Sequence, residues 1–203
     1  MLRDLTGGIL AGIMISLGGG VFLACESRYV GALLFAMALM CICMKGYYLF
    51  TGKVCYLPGS HKKAEVSLVL VCLLGNLIAT VVMGLLVRAA LPALGETANT
   101  ICTAKLGQTP LQTVLRGVFC GMLVYLSVDI YKQKNTVLAI ILCIPAFILS
   151  GYEHSIADMF YFAASGIVSL RAFSFIWLVI VGNVIGGCLI PVLEGVLRRE
   201  VRV

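Results

Sequence analysis

The sequence predicts an all-α membrane protein that forms a single transmembrane domain over residues 1–203. Of its 203 residues, 61% are hydrophobic and only 12% are charged, so the chain lacks the polar residues that cover a soluble domain. Six apolar runs have about the 20 residues needed to cross a bilayer core roughly 30 Å thick. The short alternating segments of a transmembrane barrel are missing from the sequence. We therefore expect six transmembrane helices.

In chain order the runs cover residues 5–25, 30–49, 66–91, 111–131, 137–165 and 175–197. The first has no A-x-A-like cleavage site, so we interpret it as a retained helix and not as a signal peptide. The first, third, fourth and sixth runs carry closely spaced small residues, which favour tight packing between membrane helices, and the first, fourth and sixth each contain a pair of glycines. These are Gly8 and Gly12, Gly117 and Gly121, and Gly182 and Gly186.

The second and fifth runs differ from the others because glycine is followed by polar residues, in "KGYYLFTGK" and "SGYEHSIADM". Such a stretch can interrupt a membrane helix, provided that the freed backbone groups face protein or a water-filled cavity. The second and fifth helices are therefore predicted to be broken. His154 lies in the fifth, and we expect it to face a pore, since ionisable groups within membranes are usually functional. A buried imidazole that only packs is the alternative.

The two halves of the sequence resemble each other. "GILAG" at 8–12 returns as "GVFCG" at 117–121, "KGYYLF" at 45–50 as "SGYEHS" at 150–155, and "GNLIA" at 75–79 as "GNVIG" at 182–186. Each half then holds three spans, and an odd number requires the second half to enter the membrane upside down. The result is an inverted 3+3 repeat of about 1–95 and 105–203, a design that places the substrate path where the repeats meet.

Lys and Arg in the loops predict the orientation. Nine lie on the side of the termini and five on the other, so both termini are expected in the cytoplasm and the chain in the cell inner (plasma) membrane. The nine are Arg3, Lys53, Lys62, Lys63, Lys132, Lys134, Arg198, Arg199 and Arg202, and the five are Arg28, Arg88, Lys105, Arg116 and Arg171. The net charge of +6 follows from this asymmetry and does not indicate nucleic-acid binding. None of the nine cysteines forms a C-x-x-C pair, and no metal or other cofactor is predicted.

"LFTGK" at 49–53 and "SGYEHSIADM" at 150–159 resemble motifs of the formate/nitrite transporter family. The family's fifth-helix signature, G-[FY]-E-H-S-[IV]-A-N-M, matches residues 151–159 except that Asp158 replaces the asparagine. "LRGVFCGMLV" and "GNVIGG" are similar to its fourth-helix and sixth-helix motifs. The resemblance implies a homopentamer of aquaporin-like protomers in the lipid bilayer, each with a pore for small monovalent anions such as formate, nitrite or hydrosulfide.

The resemblance also implies roles for particular residues. Thr51 and His154 match the family's polar residues at the pore centre, and Lys105 matches a lysine of the outer vestibule. The apolar constrictions would comprise Leu39, Leu49 and Phe50 on the inner side and Phe35 and Phe147 on the outer side.

Four further residues would support the pore or depart from the family pattern. Gly121 stands where the family has an asparagine, which removes a polar contact from the pore. Asp158 adds a negative charge near the path, and Lys45 is not part of the family pattern. We expect Lys45 to lie near an aqueous cavity or to pair with a carboxylate. Glu153 is expected to accept structural hydrogen bonds.

Together these features predict a channel or proton-linked transporter, and not an enzyme. Lys105 would concentrate anions, the apolar rings would strip water and favour the neutral acid, and His154 would donate or relay the proton. Thr51 would donate a hydrogen bond to the substrate or cap the half-helix.

Two alternatives remain. A neutral-solute channel of the water or glycerol type shares the architecture, although its Asn-Pro-Ala motifs are missing. A membrane enzyme would need a catalytic pattern, but the chain has only two histidines and no Ser-His-Asp or P-loop pattern.

Overall fold

The computed structural model describes residues 1–59 and 63–200, without the side chains of 198–200, and the regular structure in these ranges is helical. The helices are α1 (Leu2–Ala24), α2 (Arg28–Lys45), α3 (Phe50–Val54), α4 (Lys63–Ala90), α5 (Pro92–Leu106), α6 (Pro110–Lys134), α7 (Leu138–Leu149), α8 (Ser155–Ser165) and α9 (Leu170–Glu200). A short 3₁₀ turn covers Leu57–Gly59. Of the cations used to predict orientation, Lys62, Arg202 and the side chains of Arg198 and Arg199 lie outside the described part.

Five helices in the described ranges are long and apolar enough to cross a membrane: α1, α2, α4, α6 and α9 over Leu170–Leu197. The predicted run 137–165 is divided between α7, with 12 residues, and α8, with 11. The predicted run 30–49 extends too far, because Gly46 adopts the left-handed conformation, with φ of 69°, and ends α2. Gly151 has φ of 72° just after α7. Glycine adopts such angles without the penalty of a Cβ.

The predicted packing role of the paired glycines is confirmed. A Cβ on Gly8 would lie 2.8 Å from the carbonyl oxygen of Cys72, on α4. A Cβ on Gly117 would lie 3.0 Å from the Cα of Gly182, on α9. The backbones of α1 and α4, and of α6 and α9, therefore approach closely, which strengthens packing where lipid tails give no hydrophobic driving force.

Two extended segments lead into the short helices α3 and α8. In the first, the Tyr48 N–H donates to the carbonyl oxygen of Gly7 on α1, at 3.1 Å. In the second, the Glu153 N–H donates to the carbonyl oxygen of Arg116 on α6, at 3.3 Å. Each segment is thus bonded to a long helix of its own half of the chain.

Candidate functional site

Asn76, in the middle of α4, holds the start of α3. Its Oδ1 accepts from the N–H of Phe50, the first residue of α3, at 2.9 Å. Its Nδ2 donates to the carbonyl oxygens of Gly8, at 2.7 Å, and Tyr48, at 3.0 Å. A helix N-terminus has unpaired N–H groups, so this side chain supplies a partner that lipid cannot.

Asn183, on α9, repeats this arrangement at the start of α8. Its Oδ1 accepts from the N–H of Ser155, the first residue of α8, at 2.9 Å. Its Nδ2 donates to the carbonyl oxygens of Gly117, at 2.9 Å, and Glu153, at 2.8 Å. The two asparagines therefore have corresponding partners. Each bonds to the carbonyl oxygen of a glycine on a long helix, to the carbonyl oxygen of the residue two positions before the short helix, and to the N–H of the first residue of the short helix.

The sequence interpretation missed both asparagines, because it used "GNLIA" and "GNVIG" as evidence of the repeat and used only the glycines of the second segment for packing. The signal was present: an amide within an apolar membrane span must find partners. Asn76 is 0% exposed and Asn183 1% exposed. They fix the positions at which α3 and α8 begin.

Thr51 and His154 meet where the two short helices begin. The Thr51 Oγ1 and the His154 Nε2 are 2.9 Å apart, although the residues are 103 positions apart in the chain. The His154 Nδ1 accepts from the N–H of Ala157, at 3.1 Å, and so caps α8. An accepting Nδ1 carries no proton in neutral imidazole, so this network assigns the proton to Nε2, which donates to Thr51. The hydrogen of the Thr51 hydroxyl then remains available for another acceptor.

The alternative that Thr51 caps α3 is wrong. The N-cap residue of α3 is Leu49, whose side chain makes no capping hydrogen bond, and Thr51 is the second residue of the helix. Both members of the pair are buried, Thr51 at 1% exposure and His154 at 4%. The buried imidazole is therefore a capping and hydrogen-bonding group in contact with the opposite half of the chain.

Two cavities lie on either side of this contact. The larger, of about 480 Å³, is lined by His154 and by the N-terminal parts of α2 and α6, at Phe35 and Arg116. The smaller, of about 90 Å³, is lined by Gly52 and by the C-terminal parts of the same helices. Because His154 lines the larger cavity and Gly52, next to Thr51, lines the smaller one, the Thr51–His154 contact lies between them.

The predicted constriction residues lie around this contact. The rings of Phe35 and Phe147 both line the larger cavity and meet edge to face, with centroids 6.5 Å apart. Phe147 also stacks on the imidazole of His154, with centroids 5.8 Å apart. Leu39 and Leu49 line the smaller cavity, which Lys53 and Lys132 also border. Phe50 is buried at the start of α3.

Lys105, on α5, lines the larger cavity and is paired with two carboxylates. Its Nζ is 2.9 Å from Oδ1 of Asp158 and also contacts Oε2 of Glu153. The other oxygen of Glu153 accepts from Nε2 of Gln108, at 2.6 Å. Burial alone would lower the pKa of Lys105, but the two carboxylates outweigh it and raise the pKa, so Lys105 remains a cation. Glu153 therefore accepts hydrogen bonds from side chains.

Lys45 and Gly121 line neither of the two cavities described above. Lys45 is exposed in the last turn of α2. Gly121 lies against α9, where a Cβ would be 2.5 Å from the carbonyl oxygen of Asn183. The interpretation that Gly121 removes a polar contact from the pore is wrong, because this position packs against a helix backbone and has no room for a side chain.

A bundle of membrane-length helices with two cavities separated by a narrow polar contact is typical of a membrane channel or transporter. The model of the formate/nitrite transporter family matches residues 2–194. The chain therefore belongs to the formate/nitrite transporter family, and the resemblance inferred from its motifs is confirmed. This is a family of transporters and channels, and not of enzymes.

Among curated proteins, the chain is similar to the nitrite transporter NirC of Escherichia coli (strain K12). The match is 31% identical over 144 residues, which are 64% of this chain and 54% of that protein. Formate-nitrite transporter 2 of Toxoplasma gondii (strain ATCC 50611 / Me49) is 29% identical over 185 residues, 80% of this chain and 40% of that protein. The chain spans about half the length of the NirC protein it matches.

Two solved structures share the fold. One, described as an FNT family ion channel, has a TM-score of 0.83 and 25% identity, and covers 92% of this chain and 86% of its own. The other, described as a pentameric formate channel with formate bound, has a TM-score of 0.79 and 23% identity, and covers 99% of this chain and 97% of its own. The predicted all-helical membrane fold is confirmed.

Proposed function

We propose that the chain carries small monovalent anions of weak acids, namely formate, nitrite or hydrosulfide, across the plasma membrane as a channel or proton-linked transporter. The observation that carries the proposal is the Thr51–His154 contact of 2.9 Å, which stands between two cavities at opposite ends of α2 and α6. Membership of the family supports the substrate class.

The protomer is an inverted repeat of about 1–95 and 105–203, in which α2 with α3 and α7 with α8 are the broken second and fifth helices. Support comes from Asn76 and Asn183, whose hydrogen-bond partners correspond one to one. The two broken helices then meet at the centre of the path, as inverted repeats require.

The path begins in the larger cavity and narrows between Phe35 and Phe147. It passes the Thr51–His154 contact and the apolar residues Leu39, Leu49 and Phe50, and ends in the smaller cavity. An anion without water is very unfavourable in such surroundings, whereas the neutral acid is not. Formate, nitrite and hydrosulfide become neutral on binding one proton, so the apolar rings select the protonated form.

His154 acts in this path through the hydrogen bond that it donates to Thr51. A second proton on its imidazole would break the bond between Nδ1 and the Ala157 N–H, which caps α8. It would also add a positive charge at a helix N-terminus, where the helix dipole already disfavours one. The Thr51 hydroxyl, oriented by His154, donates its hydrogen to the passing oxygen or sulfur atom.

Orientation and assembly complete the proposal. The first turns of α1 and the C-terminal half of α9 lie at the end of the smaller cavity, since Tyr48 bonds to Gly7 and Gly187 approaches Cys55. With the excess of Lys and Arg on this side, both termini and the smaller cavity face the cytoplasm. The chain assembles as a homopentamer in the lipid bilayer, as the pentameric formate channel that shares its fold does.

Purified protein in proteoliposomes tests the proposal. We expect uptake of at least one of formate, nitrite and hydrosulfide, and we expect His154→Ala to lower the rate, because it removes both the cap of α8 and the donor to Thr51. Thr103→Ala, an exposed change on α5, is the control and should keep the rate.

Three results would contradict this assignment. Uptake of none of the three anions rejects anion transport. Osmotic swelling with glycerol in place of anion uptake indicates a neutral-solute channel, and product formation without a gradient indicates an enzyme. An unchanged rate in His154→Ala rejects the role of the imidazole while leaving the transport assignment in place.

A further inference from the structure

The wall of the larger cavity contains a cluster with one more carboxylate than cation. Glu153 and Asp158 contact the same ammonium nitrogen of Lys105 and are therefore neighbours. The side chains of Glu153 and Asp158 are 2% and 1% exposed. With both carboxylates ionised the cluster carries one net negative charge, and burying a net charge is unfavourable. One bound proton makes the cluster neutral.

The hydrogen bonds identify the atom that takes this proton. Both oxygens of Glu153 have donors, one from Lys105 and one from Gln108. Asp158 differs, because only its Oδ1 has one, again from Lys105. Its Oδ2 is buried and has no hydrogen-bond partner within the described ranges. An unpartnered oxygen is the worst place for a negative charge and the best place for a proton.

Other ionisable groups near Asp158 do not supply the missing positive charge. Around it lie Cys102 on α5, Cys120 on α6 and Tyr161 on α8, which carry no charge when protonated. Arg116, whose guanidinium donates to the carbonyl oxygen of Gly151, and His154 line the same cavity. Neither makes an ion pair with Asp158 in the described ranges. The helices α1, α3, α4 and α9 also pack on α8, and their charged side chains, which include Asp4, Lys53, Arg88 and Arg171, make no ion pair with Asp158 in the described ranges.

We propose that Asp158 is a proton-binding site of the transport path, and that the proton on its Oδ2 admits the anion to the floor of the larger cavity. This inference rests on the proposed function. With the proton bound, the cluster is neutral and Lys105 attracts the anion; without it, the cluster repels the anion. Proton and anion therefore strengthen each other's binding, since such coupling is reciprocal.

The proposal concerns a residue in which this chain differs from its family pattern. The asparagine of the pattern has the shape of a protonated aspartate and is neutral at every pH. A path with asparagine there admits the anion whether or not a proton is present. With Asp158 in place of this asparagine, entry of the anion into the floor of the larger cavity depends on pH. The side chain of Asp158 makes no hydrogen bond to the side chains of Thr51 and His154 in the described ranges.

Asp158→Asn is the matched variant, because it keeps the shape of the side chain and leaves Lys105 paired with Glu153. Uptake of formate and of nitrite is measured for both proteins over a series of external pH values. Since the fraction of protonated substrate is the same for both, the ratio of variant to wild-type rates isolates Asp158. We expect a ratio near one at acidic pH that rises about tenfold at alkaline pH, as expected for one charge acting over several ångströms.

Glu96→Gln is the control, since it removes an exposed carboxylate from α5 away from the cluster, and its ratio should stay near one. Infrared spectroscopy gives a second measurement that does not depend on transport. A carboxylic-acid carbonyl band present in the wild type and in Glu96→Gln should be missing from Asp158→Asn.

The outcomes separate the inference from the proposed function. Wild-type uptake with a ratio that does not change with pH overturns the inference and leaves anion transport standing. A wild type that takes up none of the anions overturns the proposed function and the admission of anions with it. In that case the infrared band alone decides whether Asp158 binds a proton. Identical bands in the wild type and Asp158→Asn would show that it does not.

Discussion

Replacing Asn183 by alanine should destabilise the protein more than the same change at Asn76. Both replacements remove three hydrogen bonds around the start of a short helix. In each case the glycine carbonyl oxygen lies within a long helix and keeps its donor from the next turn. Each replacement affects two further groups: the N–H of the first residue of the short helix and the carbonyl oxygen of the residue two positions before it.

The magnitudes follow from these two groups. A buried polar group left without a hydrogen-bond partner costs about 1–3 kcal/mol. Asn183→Ala leaves two such groups, the N–H of Ser155 and the carbonyl oxygen of Glu153, so it should lower the free energy of unfolding by roughly 2–6 kcal/mol. At Asn76 the carbonyl oxygen of Tyr48 keeps the thiol of Cys72 as a donor, at 2.6 Å. A thiol is a weak donor, so Asn76→Ala should cost about 1 kcal/mol less.

Reversible unfolding in detergent, followed by the fluorescence of the single tryptophan, Trp177 on α9, measures both values. Thr103→Ala, on the surface of α5, is the control and should stay within about 0.5 kcal/mol of the wild type. The reasoning is refuted when Asn183→Ala falls within this range, or when Asn76→Ala is the more damaging of the two. Uptake should fall in both variants in the same order, because each displaces a half-helix.

Three more changes test the site and its packing. Thr51→Val should lower the rate of anion uptake about tenfold, which corresponds to about 1.4 kcal/mol, because valine lacks the hydroxyl. Thr51→Ser keeps the hydroxyl and should stay within about twofold of the wild type; equal rates in the two variants contradict this role of Thr51. Gly121→Ala should lower the free energy of unfolding by about 1–3 kcal/mol through overpacking. Gly195→Ala, where a Cβ meets nothing within 4 Å, should not, as detergent melts would measure. Lys105→Met should cost about 3–5 kcal/mol by leaving buried carboxylates unpaired, and adding Asp158→Asn should recover part of that loss; no recovery would argue against the cluster.

The membrane helices could be predicted from the sequence because a bilayer leaves the backbone few choices. An apolar run of about 20 residues must form helix, since its polar groups have no other partners. The ends of the broken segments were harder. Residues 46–49 are as apolar as their neighbours, but the left-handed Gly46 ends α2 before them. Hydrophobicity does not record a change in backbone direction, whereas glycine does.

α5 was missed because its stabilising contacts are tertiary. Its 15 residues include Glu96, Asn99 and Lys105, so no apolar run marks it. Lys105 could be assigned to the outer vestibule from the family resemblance, but its pairing with residues 48 and 53 positions later depends on how α5 packs against α8. The sequence analysis singled out Lys105, Glu153 and Asp158, but it could not predict that both carboxylates contact the Nζ of Lys105.

The central polar groups explain why so little hydrogen-bonding capacity is left for a substrate. Two helices that begin within the membrane expose N–H groups that only protein can satisfy, and Asn76, Asn183 and His154 each accept from one of them. The remaining Nε2 hydrogen of His154 is donated to Thr51. What these contacts leave is the hydroxyl hydrogen of Thr51 and the hydroxyl of Ser155, whose Oγ is buried and has no hydrogen-bond partner in the described ranges. In the proposed path, a molecule that needs several partners to replace its water is rejected there, and a small neutral acid with one good acceptor is not. In this proposal the selectivity follows from the backbone, because the broken helices take up most of the other polar groups at the centre.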